Sequence, residues 1–160
     1  MKIEISIREQ QLKLLDDQGN QLADYAVSTA LNGAGEQKNS YCTPRGQHVV
    51  RAKIGKDAPI NSVFRGRRPT GEIWTPELGA QHPDRDWILT RILWLSGREL
   101  CFNRLGEVDT MQRYIYIHGT PYVESIGRPD SHGCIRMRSE DVIELFDRVA
   151  VGTTVLITDA

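Results

Sequence analysis

The residues able to act together as a chemical unit sit in the last third of the chain. They are the run Tyr114-Ile115-Tyr116-Ile117-His118-Gly119-Thr120, a loop rich in turn formers, and then Ser131-His132-Gly133-Cys134-Ile135-Arg136. A strand that ends on a histidine is followed by a loop that returns with a cysteine. A thiol performs acyl transfer when a base can take its proton, a third group orients that base, and donors sit where the oxyanion forms. Cys134 supplies the nucleophile, and His118 at the end of a buried-looking strand supplies a rigidly held base. Gly119 leaves its own carbonyl accessible to a ring nitrogen, and Gly133 permits a backbone conformation that helps to aim the amides around Cys134. The same side chains allow another chemistry, because His118, His132 and Cys134 are good zinc ligands and a catalytic zinc site needs only three from the protein. Spacing leaves both readings open. The other two cysteines, Cys42 and Cys101, read as small buried hydrophobes, and His48 and His82 lie among turn residues as surface or internally satisfied histidines.

The elements that must position these groups are mostly strands. Lys2–Arg8 alternates with period two, Gln11–Leu15 follows after a short break, and the cluster Asp16-Asp17-Gln18-Gly19-Asn20 turns the chain into Gln21–Thr29. The N-terminus therefore reads as a β-meander. Further strands are expected at Gly46–Ile54, Trp87–Ser96, Glu99–Asn103, Gln112–Ile117 and Thr153–Thr158, with a hairpin at Gly97. One helix is clear. Ser139 can cap it, Glu140 and Asp141 suit its positive end, and Val142, Leu145, Phe146 and Val149 form an apolar stripe that ends near Gly152. Between Gly55 and Asp86 four prolines and four glycines interrupt any periodicity, so this stretch reads as an irregular lid or binding loop. Arg65, Arg67 and Arg68 cluster in it, either as a fork for carboxylates or as a solvated face.

Length and composition narrow the class. With 160 residues, 39% of them hydrophobic, the chain suits one domain, 1–160, able to bury a core without disulfide or metal staples. Twenty basic residues against 21 acidic ones, a formal net charge of -1, leave no bulk field for nucleic acid or an anionic membrane. The longest apolar runs, Tyr114–Ile117 and Ile92–Leu95, fall far short of the roughly 20 residues that span a bilayer. Three cysteines at wide spacings fit neither a disulfide framework nor a CxxC motif, so at least one thiol is free. After Met1 and Lys2 the chain alternates without a signal-peptide core, which as written predicts a cytoplasmic location, or a periplasmic or wall location if a leader has been removed.

The histidine and cysteine segments together resemble the active-site motif of the YkuD-like L,D-transpeptidase catalytic domain. Thr43-Pro44-Arg45-Gly46 is similar to that family's threonine-proline-x-glycine turn, and Val27-Ser28-Thr29 to the strand end before it, so the resemblance runs from Ile3 to Ile157. It implies a mainly β fold, a β-sandwich with one substantial helix after the cysteine motif and a long lid loop at about 55–86. It also implies roles: Cys134 as nucleophile, His118 as general base, Gly119 as the carbonyl that orients it, and His132 and Gly133 shaping the oxyanion side. Arg136 is then expected to order the loop or hold a substrate carboxylate, and Ser131 to serve as a supporting hydroxyl or a turn residue. The implied substrate is a peptidoglycan stem peptide, whose several carboxylates suit Arg65, Arg67 and Arg68. No metal, organic cofactor or obligate protein partner is implied. Transfer to water would make an L,D-carboxypeptidase of muropeptide recycling, which the absent leader favours; transfer to an amine would make an L,D-transpeptidase. A catalytically silent binding module is the reading from a different class.

Overall fold

The computed structural model of the chain describes residues 1–160. Strands β1 (Lys2–Ser6), β2 (Gln11–Leu15) and β3 (Gln21–Ala26) form the expected meander. The alternation in β1 and β2 buries Ile3, Ile5, Leu12 and Leu14 on one face, and the Asp16 carboxylate closes the β2–β3 turn by accepting from the Gln18 and Asn20 amides at 2.9 and 2.8 Å. The remaining strands are β4 (Gly46–Ile54), β5 (Ser62–Arg65), β6 (Arg68–Ile73), β7 (Ile88–Gly97), β8 (Tyr116–Gly119), β9 (Ile135–Met137) and β10 (Thr154–Thr158). Two helices, α1 (Pro76–Gln81) and α2 (Ser139–Arg148), complete the chain.

All ten strands belong to one continuous sheet. The order β3-β2-β1-β10-β4-β7 continues through β8 to β9, while the β5–β6 hairpin attaches to the start of β7 through Val63↔Leu89 and Phe64↔Ile88. The sheet then closes on itself. Just beyond β3, the Ser28 and Arg136 backbones exchange both hydrogen bonds at 2.9 and 2.8 Å, so the chain after β3 pairs with β9. A curled sheet of this kind encloses one core of twenty buried side chains, drawn from both ends of the strand order and from Val142, Leu145 and Phe146 of α2. Burying each such aliphatic or aromatic side chain contributes about 1.5–3 kcal/mol.

Several expectations need correction. The stretch 55–86 is not irregular. It holds a hairpin and a short helix whose N-terminus Thr75 caps through its hydroxyl, and the hairpin hides from pattern reading because β6 is exposed along nearly its whole length. Glu99–Asn103 is a turn rather than a strand, since the amides of Phe102 and Asn103 both donate to the Glu99 carbonyl at 3.0 Å, and no hairpin forms at Gly97. The strand expected at Gln112–Ile117 starts only at Tyr116, after a turn in which Tyr114 has a φ of 56°. Ser139 does not cap α2: the capping position is Arg138, without a side-chain bond, and the Ser139 hydroxyl turns inward to Thr90 at 2.7 Å. The helix ends at Arg148, and Gly152 instead serves the turn before β10 with a φ of 94°.

His48 is internally satisfied, as one of its two sequence readings held, and it lies in β4 rather than in a turn. Its Nδ1–H donates to the Gly46 carbonyl and its Nε2 accepts from the Thr110 hydroxyl, both at 3.0 Å. Burial holds its pKa down at about 4, against a partial upward pull from the Gly46 bond. The unfolded chain therefore takes up the proton first, so this contribution to stability is complete above about pH 6.5 and is lost as the pH falls toward 4. Denaturation titrations of the wild type and His48→Gln should show their stability difference shrinking by roughly 3 kcal/mol between pH 7 and pH 4. A constant difference would mean that His48 does not titrate in that window.

Candidate active site

Parallel pairing of β8 with β9 sets Ile117 beside Ile135 and His118 beside Arg136, which brings Cys134, one residue ahead of β9, alongside Tyr116. The Tyr116 amide accordingly donates to Cys134 Sγ at 3.3 Å, and the thiol lies 3.4 Å from the Tyr114 carbonyl, which accepts its proton. His118 is buried, and its Nδ1 stands 2.7 Å from the Gly119 carbonyl. A carbonyl only accepts, so Nδ1 carries the hydrogen and Nε2 keeps its lone pair. Gly119 must be glycine here, because a Cβ would lie 2.7 Å from the Leu89 carbonyl and 2.9 Å from the Ser139 hydroxyl.

The cysteine loop is held from two sides. The Val27–Thr29 segment acts as a rail: the Thr29 carbonyl accepts from the Asp130 and Ser131 amides, and the Val27 carbonyl from Gly127, each at 2.9 Å. From the other side the Thr43 hydroxyl donates to the Gly133 carbonyl at 2.9 Å while accepting from the Ala30 amide at 3.0 Å. Gly133 has a φ of 130°, and a Cβ there would press on Ile115 and the Cys42 carbonyl. Ser131 sits inside the turn, accepting from the Gly133 amide at 3.2 Å and donating to the Cys134 carbonyl at 2.6 Å. The Gly133 N–H is thereby occupied, whereas the N–H groups of His132 and Cys134 make no hydrogen bond within the chain.

Cys134, His118, Ser131, His132 and Arg136 all line one cleft of about 430 Å³. His132 points outward, its side chain 66% exposed, with Nδ1 4.0 Å from Asp86 and its ring edge-on to Tyr41. Arg136 is almost fully buried and already paired, with Asp86 at 3.3 Å and Asp130 at 3.5 Å. Of the lid arginines only Arg67 reaches the cleft. Arg65 and Arg68 are exposed register partners across the hairpin, outside the cleft lining. The lining also includes Asp86, Arg113 and Tyr41, charged and aromatic residues that had not been singled out from sequence for a site role. Arg113 donates to the Cys42 carbonyl at 2.7 Å and to the Gly35 carbonyl at 3.3 Å, and pairs with no carboxylate. No short-range spacing marks these three, because topology alone brings them to the cleft. No three His, Cys, Asp or Glu side chains converge as a metal-holding group.

Electrostatics set the resting state. Burial pushes the Cys134 thiol up to about 12, outweighing the Tyr116 amide and the cations Arg136 and Arg113 that favour the thiolate. Burial likewise lowers the His118 pKa, against the pull of Asp86 and the Gly119 bond. The pair therefore rests as neutral thiol and neutral imidazole.

The model of the YkuD L,D-transpeptidase catalytic domain family matches residues 1–157. The chain belongs to this family. It is 33% identical over 129 residues to the probable L,D-transpeptidase YbiS of Escherichia coli, an alignment covering 74% of this chain and 41% of YbiS. The probable L,D-transpeptidase ErfK/SrfK of Salmonella typhimurium is 51% identical over 128 residues, covering 74% of this chain and 40% of that protein. The chain thus spans less than half the length of these curated relatives. Among solved structures, an L,D-transpeptidase from Mycobacterium smegmatis superimposes with a TM-score of 0.57 at 21% identity, covering 98% of this chain and 57% of the other. The resemblance read from the sequence thus holds along nearly the whole domain.

Two outcomes follow for this YkuD domain. Because a thiol near pKa 12 and a low-pKa histidine do not form a resting ion pair, alkylation of Cys134 by iodoacetamide should keep accelerating with pH beyond 9. A rate plateau below pH 7, followed by peptide mapping, would reveal a thiolate–imidazolium pair instead. Thr43→Val leaves a buried amide and a buried carbonyl without partners, so chemical denaturation should show a loss of about 2 kcal/mol or more.

Proposed function

We propose that this domain cleaves peptidoglycan tetrapeptides between the L-centre of the third residue and the terminal D-alanine, through a thioester on Cys134. The observation that carries the reading is the His118 tautomer, with Nδ1–H committed to the Gly119 carbonyl and Nε2 left as a base in the cleft that holds the cysteine. As Cys134 Sγ attacks the carbonyl carbon, its proton passes to His118 Nε2, so two neutral groups become charged only when substrate is present. The unengaged Cys134 N–H is the donor for the oxyanion, and the positive φ of Gly133 sets its direction. Collapse of the tetrahedral intermediate breaks the C–N bond, and His118 returns the proton to the leaving D-alanine amine. An incoming acceptor then loses a proton to His118 while the C–S bond breaks and the thiol is restored.

Arg67 is the residue we assign to a substrate carboxylate. It occupies the tip of the β5–β6 hairpin, where Gly66 and Arg67 take φ values of 56° and 65°, a two-residue turn that ordinarily favours Asn-Gly. Its guanidinium lies over Trp94 and Tyr114, at 4.9 and 4.7 Å from their ring centroids, and donates to the Tyr116 hydroxyl at 3.0 Å. No carboxylate of the chain neutralises it, and most of its N–H donors remain free.

Water as acceptor yields a tripeptide, the L,D-carboxypeptidase reaction, suited to trimming recycled wall fragments in the cytoplasm. The exposed mouth formed by His132 and Asp86 supports this reading, because solvent reaches the thioester. An amine acceptor yields cross-linked or exchanged peptide. A second hollow of about 290 Å³, which shares Tyr41, Arg113, Tyr114, Ile115 and His132 with the main cleft, supports that alternative by giving a second peptide room. Mass spectrometry of products from a diaminopimelate-containing tetrapeptide, with and without a D-amino acid, separates the two. Tripeptide in both mixtures, lost in Cys134→Ala, is the expected result; an acceptor-exchanged product would assign transpeptidation, and no cleavage would refute the proposal. Arg67→Gln should raise KM roughly 10- to 100-fold with kcat nearly unchanged, the loss expected of one charge-assisted bidentate contact.

A further inference from the structure

β7 carries an irregularity directly beside the histidine. The β7–β8 ladder pairs Leu89 with Gly119 and Ile92 with His118, so Thr90 and Arg91 have no partner opposite the His118–Gly119 peptide. Thr90 is fully buried with a φ of 77°, a left-handed backbone that a β-branched residue adopts only when its surroundings force it.

Three groups force it. The Thr90 hydroxyl accepts from the Asn61 amide at 3.0 Å and donates to Ser139 Oγ at 2.7 Å, and the Ser139 hydroxyl donates to Asn61 Oδ1 at 3.3 Å. In this arrangement each hydroxyl gives one hydrogen and receives one, which closes a ring and leaves neither unsatisfied. The Thr90 carbonyl is held as well, by Arg91 Nη1 at 2.6 Å, and the same nitrogen donates to the Ala58 carbonyl at 2.9 Å. The ring therefore ties together the approach to β5, the first residue of α2 and the irregular part of β7. It also abuts Gly119: a Cβ there would meet Ser139 Oγ at 2.9 Å and Thr90 Cβ at 3.2 Å. Thr90 does not line the cleft, so it cannot touch substrate.

We infer that Thr90 is a positioning residue for His118: the Thr90–Ser139–Asn61 ring holds the bulge that interrupts regular strand pairing beside Gly119 and fixes the carbonyl to which His118 Nδ1 donates. The inference rests on the reading of His118 as the general base. A regular β7 would run its ladder past Gly119 and compete for that carbonyl. The imidazole would then lose the bond that selects its tautomer, and the lone pair would no longer be held at Nε2.

The test compares Thr90→Val, which keeps the branched shape and removes the hydroxyl, with Thr90→Ser, which restores it. In tetrapeptide cleavage Thr90→Val should lower kcat by about 100-fold with KM unchanged, and Thr90→Ser should recover most of it. In 15N spectra of histidine-labelled protein the His118 Nδ1–H signal should persist in wild type and Thr90→Ser and vanish, or shift to the other tautomer, in Thr90→Val. The spectrum needs no substrate, so a wild type that cleaves nothing would refute the proposed function while the role of Thr90 is still decided. A folded Thr90→Val that is less stable but keeps both the His118 signal and kcat would overturn the inference. If Thr90→Val does not fold, Ser139→Ala opens the same ring, and the same two readings decide.

Discussion

Parallel strands cannot be joined by a tight turn, so bringing His118 on β8 and Cys134 on the lead-in to β9 to one cleft obliges the chain to make an excursion between them. That excursion, 120–134, has little core of its own, and the rest of the structure is arranged to hold it. The Val27–Thr29 rail takes its amides, Thr43 takes the Gly133 carbonyl, and the Ser28–Arg136 exchange makes the same rail the seam at which the sheet closes. The closure that completes the core thus also fixes the loop that carries Cys134. A change that opened the seam would be felt at Cys134 before it was felt at the far strands β1, β2 and β10.

Burial shifts the Cys134 and His118 pKa values in opposite directions, and the two effects agree. A desolvated thiol resists losing its proton and a desolvated imidazole resists gaining one, so both shifts hold the neutral pair. The structure keeps an amide on the sulfur and two arginines nearby, which suffice to receive a thiolate but not to create one at rest. A resting thiol is less exposed to oxidation and to stray electrophiles than a thiolate. In the proposed reaction, charge separation is deferred until a polarised carbonyl is present to accept the sulfur electrons.

What the sequence disclosed and what it hid follow one physical rule. Elements with one buried and one exposed face write their period into the chain, and these were legible: β1, β2, β4, β10 and the Val142–Leu145–Phe146 stripe of α2. Elements without that asymmetry leave no period, and of these β7 was legible only through its apolar run Ile92–Leu95. β6 is exposed nearly throughout and β9 is three fully buried residues, and neither was anticipated. The turn at Glu99–Asn103 misled because Leu100 and Phe102 alternate as in a strand while both face solvent. At the site, Cys134, His118 and Gly119 were legible because their chemistry is local to two short motifs. Asp86, Arg113 and Thr90 were not, because each acts through a contact that only the folded sheet brings into being.

The arginines carry this distinction furthest. A net charge of -1 says nothing about the cleft, where three guanidinium groups meet and differ only in what neutralises them. Arg136 lies between Asp86 and Asp130, its charge spent inside the protein, and this pairing makes it a brace for the cysteine loop. Arg113 gives its N–H groups to carbonyls of the 35–42 loop, which absorb hydrogen bonds but no charge. Arg67 rests on aromatic faces, which attract a cation while leaving its edge open. Two of the three therefore stand beside Cys134 without a carboxylate partner, the arrangement that a carboxylate-rich substrate of the proposed kind would use. On the proposed reading the same positive charge lowers the cost of the oxyanion, so recognition and rate draw on one arrangement of charge.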